Sequence, residues 1–303
     1  MKISGYYLDK EQEQIVYDDS NNILVTTGAG SGKTLTILGK INYLINNKKI
    51  NPSEILCISF TKASSDSLKN KVKEEFNINL DVYTFHKLAL KILSKNKIKY
   101  LITDNNTLDN IIHEFIYIDA LSNKKIMKTV LNYFHVKYKN ENEYIKYIDN
   151  NNEIELFERL ISTFIRLFKC NNYKLSDFNK FKRKINILHY KYEKNFLIII
   201  LNIYLKYQKY LYDNNEIDFD DMIIKATNMV KNTDLKYKYI IIDEYHDTSF
   251  VRFNLIKKIL NKTNSKLMVV GDDFQSIYKF TGCDLSLFLY FSKYFNKAKI
   301  MKI

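Results

Sequence analysis

The sequence predicts an α/β chain, a parallel sheet flanked by helices and interrupted by an inserted helical subdomain. Three observations carry this. Over the first ninety residues, β-branched apolar runs alternate with amphipathic segments, the rhythm of βαβ units. A Gly-rich turn, Thr27-Gly28-Ala29-Gly30-Ser31-Gly32-Lys33-Thr34, separates the first run from the helix after it. From about Leu90 to Asp213 apolar residues recur instead at helical spacing, and strand-like runs return only afterwards.

Taken in order, residues 22–27 (Asn-Ile-Leu-Val-Thr-Thr) read as a buried strand, followed by the turn and a helix through about Ile45. Residues 55–60 read as a second strand, 63–76 as an amphipathic helix and 80–84 as a short third strand. Within the insertion, Leu156, Leu160, Phe164 and Phe168 recur at helical spacing, and Asp149-Asn150-Asn151-Asn152 marks a turn. Strand signals return at 239–243, 266–271 and 298–303. The expected division is 1–90 and 213–303 for the sheet domain, with 91–212 as the inserted subdomain.

Hydrophobic residues make up 46% and aromatics 14% of the 303, ample for a packed core. No run approaches the roughly 18 apolar residues that span a bilayer, so no membrane partner is expected. The opening Met1-Lys2-Ile3-Ser4-Gly5 does not read as a signal peptide. Cys57, Cys170 and Cys283 lie too far apart for a disulfide framework or zinc site, which suits a reducing compartment. A cytoplasmic location is expected, at the nucleoid or a site of viral replication. The net charge of +13 suits a polyanionic partner. An AT-rich coding sequence would also produce this excess of Lys, Asn, Ile, Tyr and Phe.

The Gly-rich turn is a candidate phosphate site. Glycines let backbone N–H groups turn inward around phosphate oxygens, and the following helix adds the positive end of its dipole. In this pattern Gly28, Ala29, Gly30, Ser31 and Gly32 form the cradle, Lys33 reaches the β- and γ-phosphates, and Thr34 ligates Mg²⁺. The usual first glycine is replaced by Thr27. The run Ile240-Ile241-Ile242-Asp243-Glu244 delivers two carboxylates to the end of a strand, where open α/β sheets bind ligands. Asp243 is expected to hold Mg²⁺ and Glu244 to orient and deprotonate an attacking water.

Other segments fall in order around these two. They are residues 8–16 (Leu-Asp-Lys-Glu-Gln-Glu-Gln-Ile-Val), Ser59-Phe60-Thr61-Lys62-Ala63-Ser64, Tyr83-Thr84-Phe85-His86 and Asp218-Phe219-Asp220-Asp221-Met222. Asp243-Glu244-Tyr245-His246-Asp247-Thr248-Ser249 and residues 271–280 (Gly-Asp-Asp-Phe-Gln-Ser-Ile-Tyr-Lys-Phe) complete the set. In this order the chain resembles the UvrD/Rep/PcrA group of superfamily 1 DNA helicases over nearly its whole length. The resemblance implies a RecA-like P-loop NTPase domain that uses ATP and Mg²⁺ and moves 3′–5′ on DNA. It implies that Gln12 reads the adenine edge through its amide and that Gln275 senses the γ-phosphate. It also implies that Phe60, Thr61, Thr84, Phe85, His86, Tyr278 and Phe280 face single-stranded DNA. Stacking on an aromatic face suits sequence-independent tracking. For Phe85 and Phe280 the alternative is an ordinary core aromatic, in a chain with 19 Phe.

The chain departs from the family pattern at four places. His246 stands where Gln is usual, Phe274 where Asp is usual and Thr281 where Arg is usual, while Lys62 is followed directly by Ala63. The resemblance also implies that an Asn-Tyr-Arg-Ser segment and a second RecA-like domain follow residue 303 in relatives. The chain is therefore expected to hold one wall of the nucleotide cleft, with little or no turnover by itself. The alternatives are a non-catalytic nucleotide- or DNA-binding remnant, and one half of a split helicase with a separate C-terminal chain.

Overall fold

The computed structural model describes residues 1–28, 30–185, 190–272 and 282–303. Two short antiparallel strands, β1 (Lys2–Ile3) and β2 (Tyr6–Tyr7), open the chain. Helix α1 (Lys10–Tyr17) starts on a reciprocal cap: the Asp9 carboxylate accepts from the Gln12 amide at 2.7 Å, while Gln12 Oε1 accepts from the Asp9 amide at 3.1 Å. Strand β3 (Asn22–Thr26) leads through the Gly-rich turn into α2 (Lys33–Asn46). Then come β4 (Ile55–Ser59), α3 (Lys62–Phe76), β5 (Asp81–Thr84) and α4 (Phe85–Lys95).

The helical segment runs from β6 (Leu101–Ile102) through α5 (Thr107–Glu114), α6 (Lys124–Tyr133), α7 (Glu141–Asn150), α8 (Glu153–Cys170), α9 (Phe178–Arg183) and α10 (Tyr190–Asp213) to β7 (Glu216–Ile217). After it come α11 (Phe219–Met229), β8 (Tyr239–Ile242), α12 (Phe250–Thr263), β9 (Lys266–Gly271), α13 (Ser286–Leu289), α14 (Phe291–Tyr294) and β10 (Ala298–Lys302). Among the described residues no helix is long and apolar enough to cross a membrane.

Six strands form one parallel sheet in the order β10-β3-β9-β8-β4-β5. Every residue of β4 and β8 is buried, as expected where helices cover both faces of a parallel sheet. One side of the core joins Ile23, Val25, Cys57, Ile241, Met268 and Val270 to Ile37 and Ile41 of α2. The register pairs Thr26 with Gly271, Ile242 with Val269 and Ile58 with Ile242. The carboxyl ends of β3, β9, β8 and β4 therefore form one edge, where this topology builds ligand sites. Lys40 is buried in α2 and donates to the carbonyls of Val16, at 3.0 Å, and Asp18, at 2.5 Å. It thereby satisfies groups that the end of α1 leaves open. Burial brings its pKa down to about 8.

The chain divides into two compact units, 1–99 with 222–303, and 100–221. The expected edges at 90 and 212 thus fall at 99 and 221. Helix α4 stays with the sheet to its last turn: Leu88, Ala89, Ile92 and Leu93 are buried, and Lys95 and Asn96 bond to Asp234 and Thr233. At the other edge, Asp218 and Asp221 are tied to Lys169 of α8.

Inside the helical unit the expected helical spacing is that of α8, which buries one of two apolar sets. Ile154, Phe157, Ile161, Ile165 and Phe168 are buried, whereas Leu156 and Leu160 are exposed and Phe164 is half-buried. Both sets have helical spacing. The first presents the wider continuous apolar face, and α5 and α10 lie against α8.

Candidate nucleotide and nucleic-acid site

The Gly-rich turn has the backbone that its glycines allow. Gly30 and Gly32 sit at φ 74° and 82°, the left-handed region, and Gly32 caps α2 directly before Lys33. A Cβ on Gly32 would come within 2.4 Å of Gln12 Nε2, so the position is closed to other residues twice over. Thr27, in place of the usual glycine, is buried. Its amide and hydroxyl both donate to the Gly271 carbonyl, at 2.9 and 3.0 Å, fastening the turn to the end of β9. Ser31 Oγ is buried without a hydrogen-bond partner among the described residues. Thr34 is half-buried in the first turn of α2, and Gly28 is exposed. Ala29 lies outside the described residues.

Gln12 is 5% exposed. Its amide is engaged on both sides, Oε1 in the α1 cap and Nε2 donating to the Ser31 carbonyl at 3.3 Å. The resemblance gave this side chain to a base edge. In this structure it also braces the Gly-rich turn.

The acidic pair arrives from β8. The Asp243 amide donates to the Ile58 carbonyl at 2.9 Å, continuing the ladder one residue past the strand. Glu244 then adopts a left-handed conformation, φ 51° and ψ 44°, and its amide donates to Asp243 Oδ1 at 3.0 Å. This bend brings Glu244 to Lys33, whose Nζ lies 3.0 Å from each carboxylate oxygen. Burial, reinforced by repulsion from Glu244, pushes the Asp243 carboxyl up to about 6. Burial likewise raises the carboxyl of Asp247, whose Oδ1 has no hydrogen-bond partner among the described residues. His246, at the position where the family pattern has Gln, accepts the Asp272 amide on Nδ1 at 3.1 Å, so a neutral ring carries its proton on Nε2.

The segments assigned to DNA divide. Phe60 is half-buried, just past β4. The hydroxyls of Thr61 and Thr84 cap α3 and α4, accepting from the amides of Ser64 at 3.1 Å and Lys87 at 3.2 Å. Phe85 is 3% exposed, which favours the alternative given for it, a ring that belongs to the core. His86 is half-buried. Burial, with the charge of Arg252 adding to it, lowers its pKa to about 4. Gln275, Tyr278 and Phe280 lie outside the described residues, as do Phe274 and Thr281.

Sequence reasoning missed Arg252. Its guanidinium lies over Phe60, 4.5 Å from the ring centroid, and 5.8 Å from that of Phe85. Nη1 donates to the Asp247 carbonyl at 3.1 Å. The available signal was compositional, because this is one of only four arginines in a chain where lysine supplies nearly all the positive charge.

A parallel sheet with a glycine-rich strand-to-helix turn and an acidic pair facing its lysine defines the class, a RecA-like P-loop domain. Residues 8–296 match the family described as the UvrD/REP helicase N-terminal domain, and the chain belongs to that family. It is 30% identical to an ATP-dependent DNA helicase Rep from Buchnera aphidicola, over 98% of this chain and 42% of the relative. A probable DNA helicase II homolog from Mycoplasma capricolum is also 30% identical, over 96% of this chain and 37% of the relative. An ATP-dependent DNA helicase PcrA from Staphylococcus epidermidis is 29% identical, with the same two shares. The chain thus spans about two-fifths of the length of these relatives.

Proposed function

We propose that this chain is the ATP-binding motor domain of a 3′–5′ DNA helicase, working on single-stranded DNA in the cytoplasm or at the nucleoid. The observation that carries the reading is the meeting of Lys33 and Glu244 at 3.0 Å across 211 positions of sequence. It unites a phosphate turn with an acidic pair. Residues 28–32 would cradle the phosphates through the backbone, with Lys33 on the β- and γ-oxygens. Gln12 would hold the turn in shape beneath the base.

The residues present fit a divalent cation. Asp243 is a buried carboxylate with raised pKa, which a neighbouring cation would relieve, and the Thr34 hydroxyl is a second oxygen donor. Two protein oxygens with phosphate and water completing the shell is how Mg²⁺ is commonly held. When bound, such an ion would neutralise charge building on the transferring phosphoryl group. Glu244 would orient and take a proton from the attacking water once its ion pair with Lys33 opens. Gln275 would complete the γ-phosphate contacts, and a second RecA-like domain, on the same or a separate chain, would supply the far wall.

On the DNA side, Phe60 offers a half-buried ring to a base, and by the family resemblance Tyr278 and Phe280 would also contact the strand. Titration with a fluorescent ATP analogue and Mg²⁺ tests the reading. Lys33→Ala removes charge-assisted bonds of about 1.5–3 kcal/mol and should weaken binding by about tenfold or more. Equal affinity in both proteins would overturn the assignment. Oligothymidylate binding should weaken steeply with added salt, as phosphate contacts require.

A further inference from the structure

Arg252 stands outside the motifs, on α12, yet touches both halves of the site. Its guanidinium lies 4.5 Å from the centre of the Phe60 ring. The guanidinium thus covers one face of a ring that is only half-buried. The same side chain donates from Nη1 to the Asp247 carbonyl at 3.1 Å. The Asp247 amide in turn donates to the Glu244 carbonyl at 3.1 Å, and the Glu244 carboxylate holds Lys33 at 3.0 Å. An unbroken run of contacts therefore leads from the aromatic ring to the phosphate-binding lysine.

Two features make this run responsive. Glu244 occupies the left-handed region at φ 51°, where a residue with a Cβ is strained and must be held by its surroundings. The single turn Tyr245–Asp247 does that holding, and Arg252 grips the last carbonyl of that turn. The second feature is the guanidinium itself. It stacks on a ring and donates in its own plane at once, which an ammonium cannot do. A strand arriving at Phe60 brings a base to the ring and phosphates that compete for the guanidinium's donors.

We infer that Arg252 is a positioning residue that couples strand occupancy at Phe60 to the carboxylate side of the nucleotide site. The inference rests on the reading of the two sites given above. Binding of one ligand shifts the Tyr245–Asp247 turn and so alters how firmly Glu244 holds Lys33. Coupling of this kind is reciprocal between the two ligands.

The test measures affinity for a fluorescein-labelled oligothymidylate with and without saturating magnesium and a non-hydrolysable ATP analogue. The reverse titration, nucleotide with and without the oligonucleotide, accompanies it. In the unaltered chain each ligand should change the other's affinity by about fivefold or more. In Arg252→Ala and Arg252→Gln that factor should fall to within about twofold of one, while affinity for the nucleotide alone stays within about threefold of the unaltered chain. Arg252→Lys keeps the charge without the planar fork and should not restore the coupling. Phe60→Leu approaches from the other end and should remove the coupling too, with no further loss when combined with Arg252→Gln. Coupling that persists in the Arg252 variants overturns the inference, as does loss of nucleotide binding in them without DNA present. An unaltered chain that binds both ligands independently overturns this inference alone. One that binds neither overturns the functional reading beneath it as well.

Discussion

Lys33 Nζ lies 3.0 Å from both carboxylate oxygens of Glu244, so the cation proposed to meet phosphate is already held by the carboxylate proposed to meet water. The two roles cannot be exercised while the pair is closed. Both side chains are partly exposed, at 17% and 29%, so the pair is a modest lock. Discounted for solvent, such a contact contributes about 0–1 kcal/mol. Glu244→Gln should therefore bind the ATP analogue up to about fivefold more tightly. Weaker nucleotide binding in that variant, by fluorescence titration, would refute the competition between carboxylate and phosphate for Lys33.

Asp243 makes a prediction about pH. Burial and Glu244 raise its carboxyl from an ordinary 3.8 to about 6 in the folded chain. A raised folded pKa means that the folded state binds the proton more tightly than the unfolded chain. The contribution to stability is fully present below about pH 4 and is lost as pH rises through about 6. Above that range the buried charge costs on the order of 2–3 kcal/mol. Asp243→Asn should raise the melting temperature at pH 7.5, and the advantage should shrink by pH 5. Thermal melts of both proteins at the two pH values measure it, and an advantage that grows on acidification would reverse the sign. Magnesium-dependent nucleotide binding should also fall as pH drops below about 6, where Asp243 takes up its proton.

The two aromatics of the DNA-assigned segments should behave oppositely. Phe85 is buried, so Phe85→Ala should destabilise the chain by about 3–5 kcal/mol through lost contacts and a cavity. Phe60 is half-buried, so Phe60→Ala should cost much less stability but about 1–3 kcal/mol of oligothymidylate affinity. Urea unfolding and anisotropy on the same two variants separate the effects. A Phe60 variant that melts early and binds normally would move that ring into the core.

Within the helical unit, buried Lys169 bonds to Asp218 and to Asp221, the latter at 2.7 Å, and Tyr207 donates to Asp218 at 3.0 Å. Burial alone would lower the Lys169 pKa, but the two carboxylates outweigh it and leave it raised. Lys169→Met leaves two carboxylates facing each other without their cation, and should cost about 3–5 kcal/mol in urea unfolding. Replacing both aspartates by Asn in the same protein should recover most of the loss. Failure of that rescue would mean that packing, not charge, is what Lys169 contributes.

That pairing shows how far the motifs could be read. Asp218-Phe219-Asp220-Asp221-Met222 stood out in the sequence as a signature without a stated role. Its first and fourth residues turn out to clasp a lysine 49 and 52 positions earlier, which no local pattern announces. Which face of α8 is buried was not legible for a related reason. Two overlapping sets of apolar residues satisfy the same helical period, and only the neighbouring helices select which is buried. Phe85 and Phe60 each follow directly on a strand, yet the former starts a helix under the core and the latter lies in a bend beside Arg252.

By itself the sequence determined the elements whose cause is local. The glycines that permit φ 74° and 82°, the Thr61 and Thr84 caps and the β-branched runs all act over a few residues. The alternation of strands and helices then selects a parallel sheet, because a crossover helix must return to the same edge. Only the tertiary structure decided what depends on long-range approach. It set the order β10-β3-β9-β8-β4-β5, brought Glu244 to Lys33 and set Arg252 against Phe60. Each of those contacts joins residues about two hundred positions apart. Such meetings follow from burying both faces of the sheet at once, and no single segment of the chain encodes that.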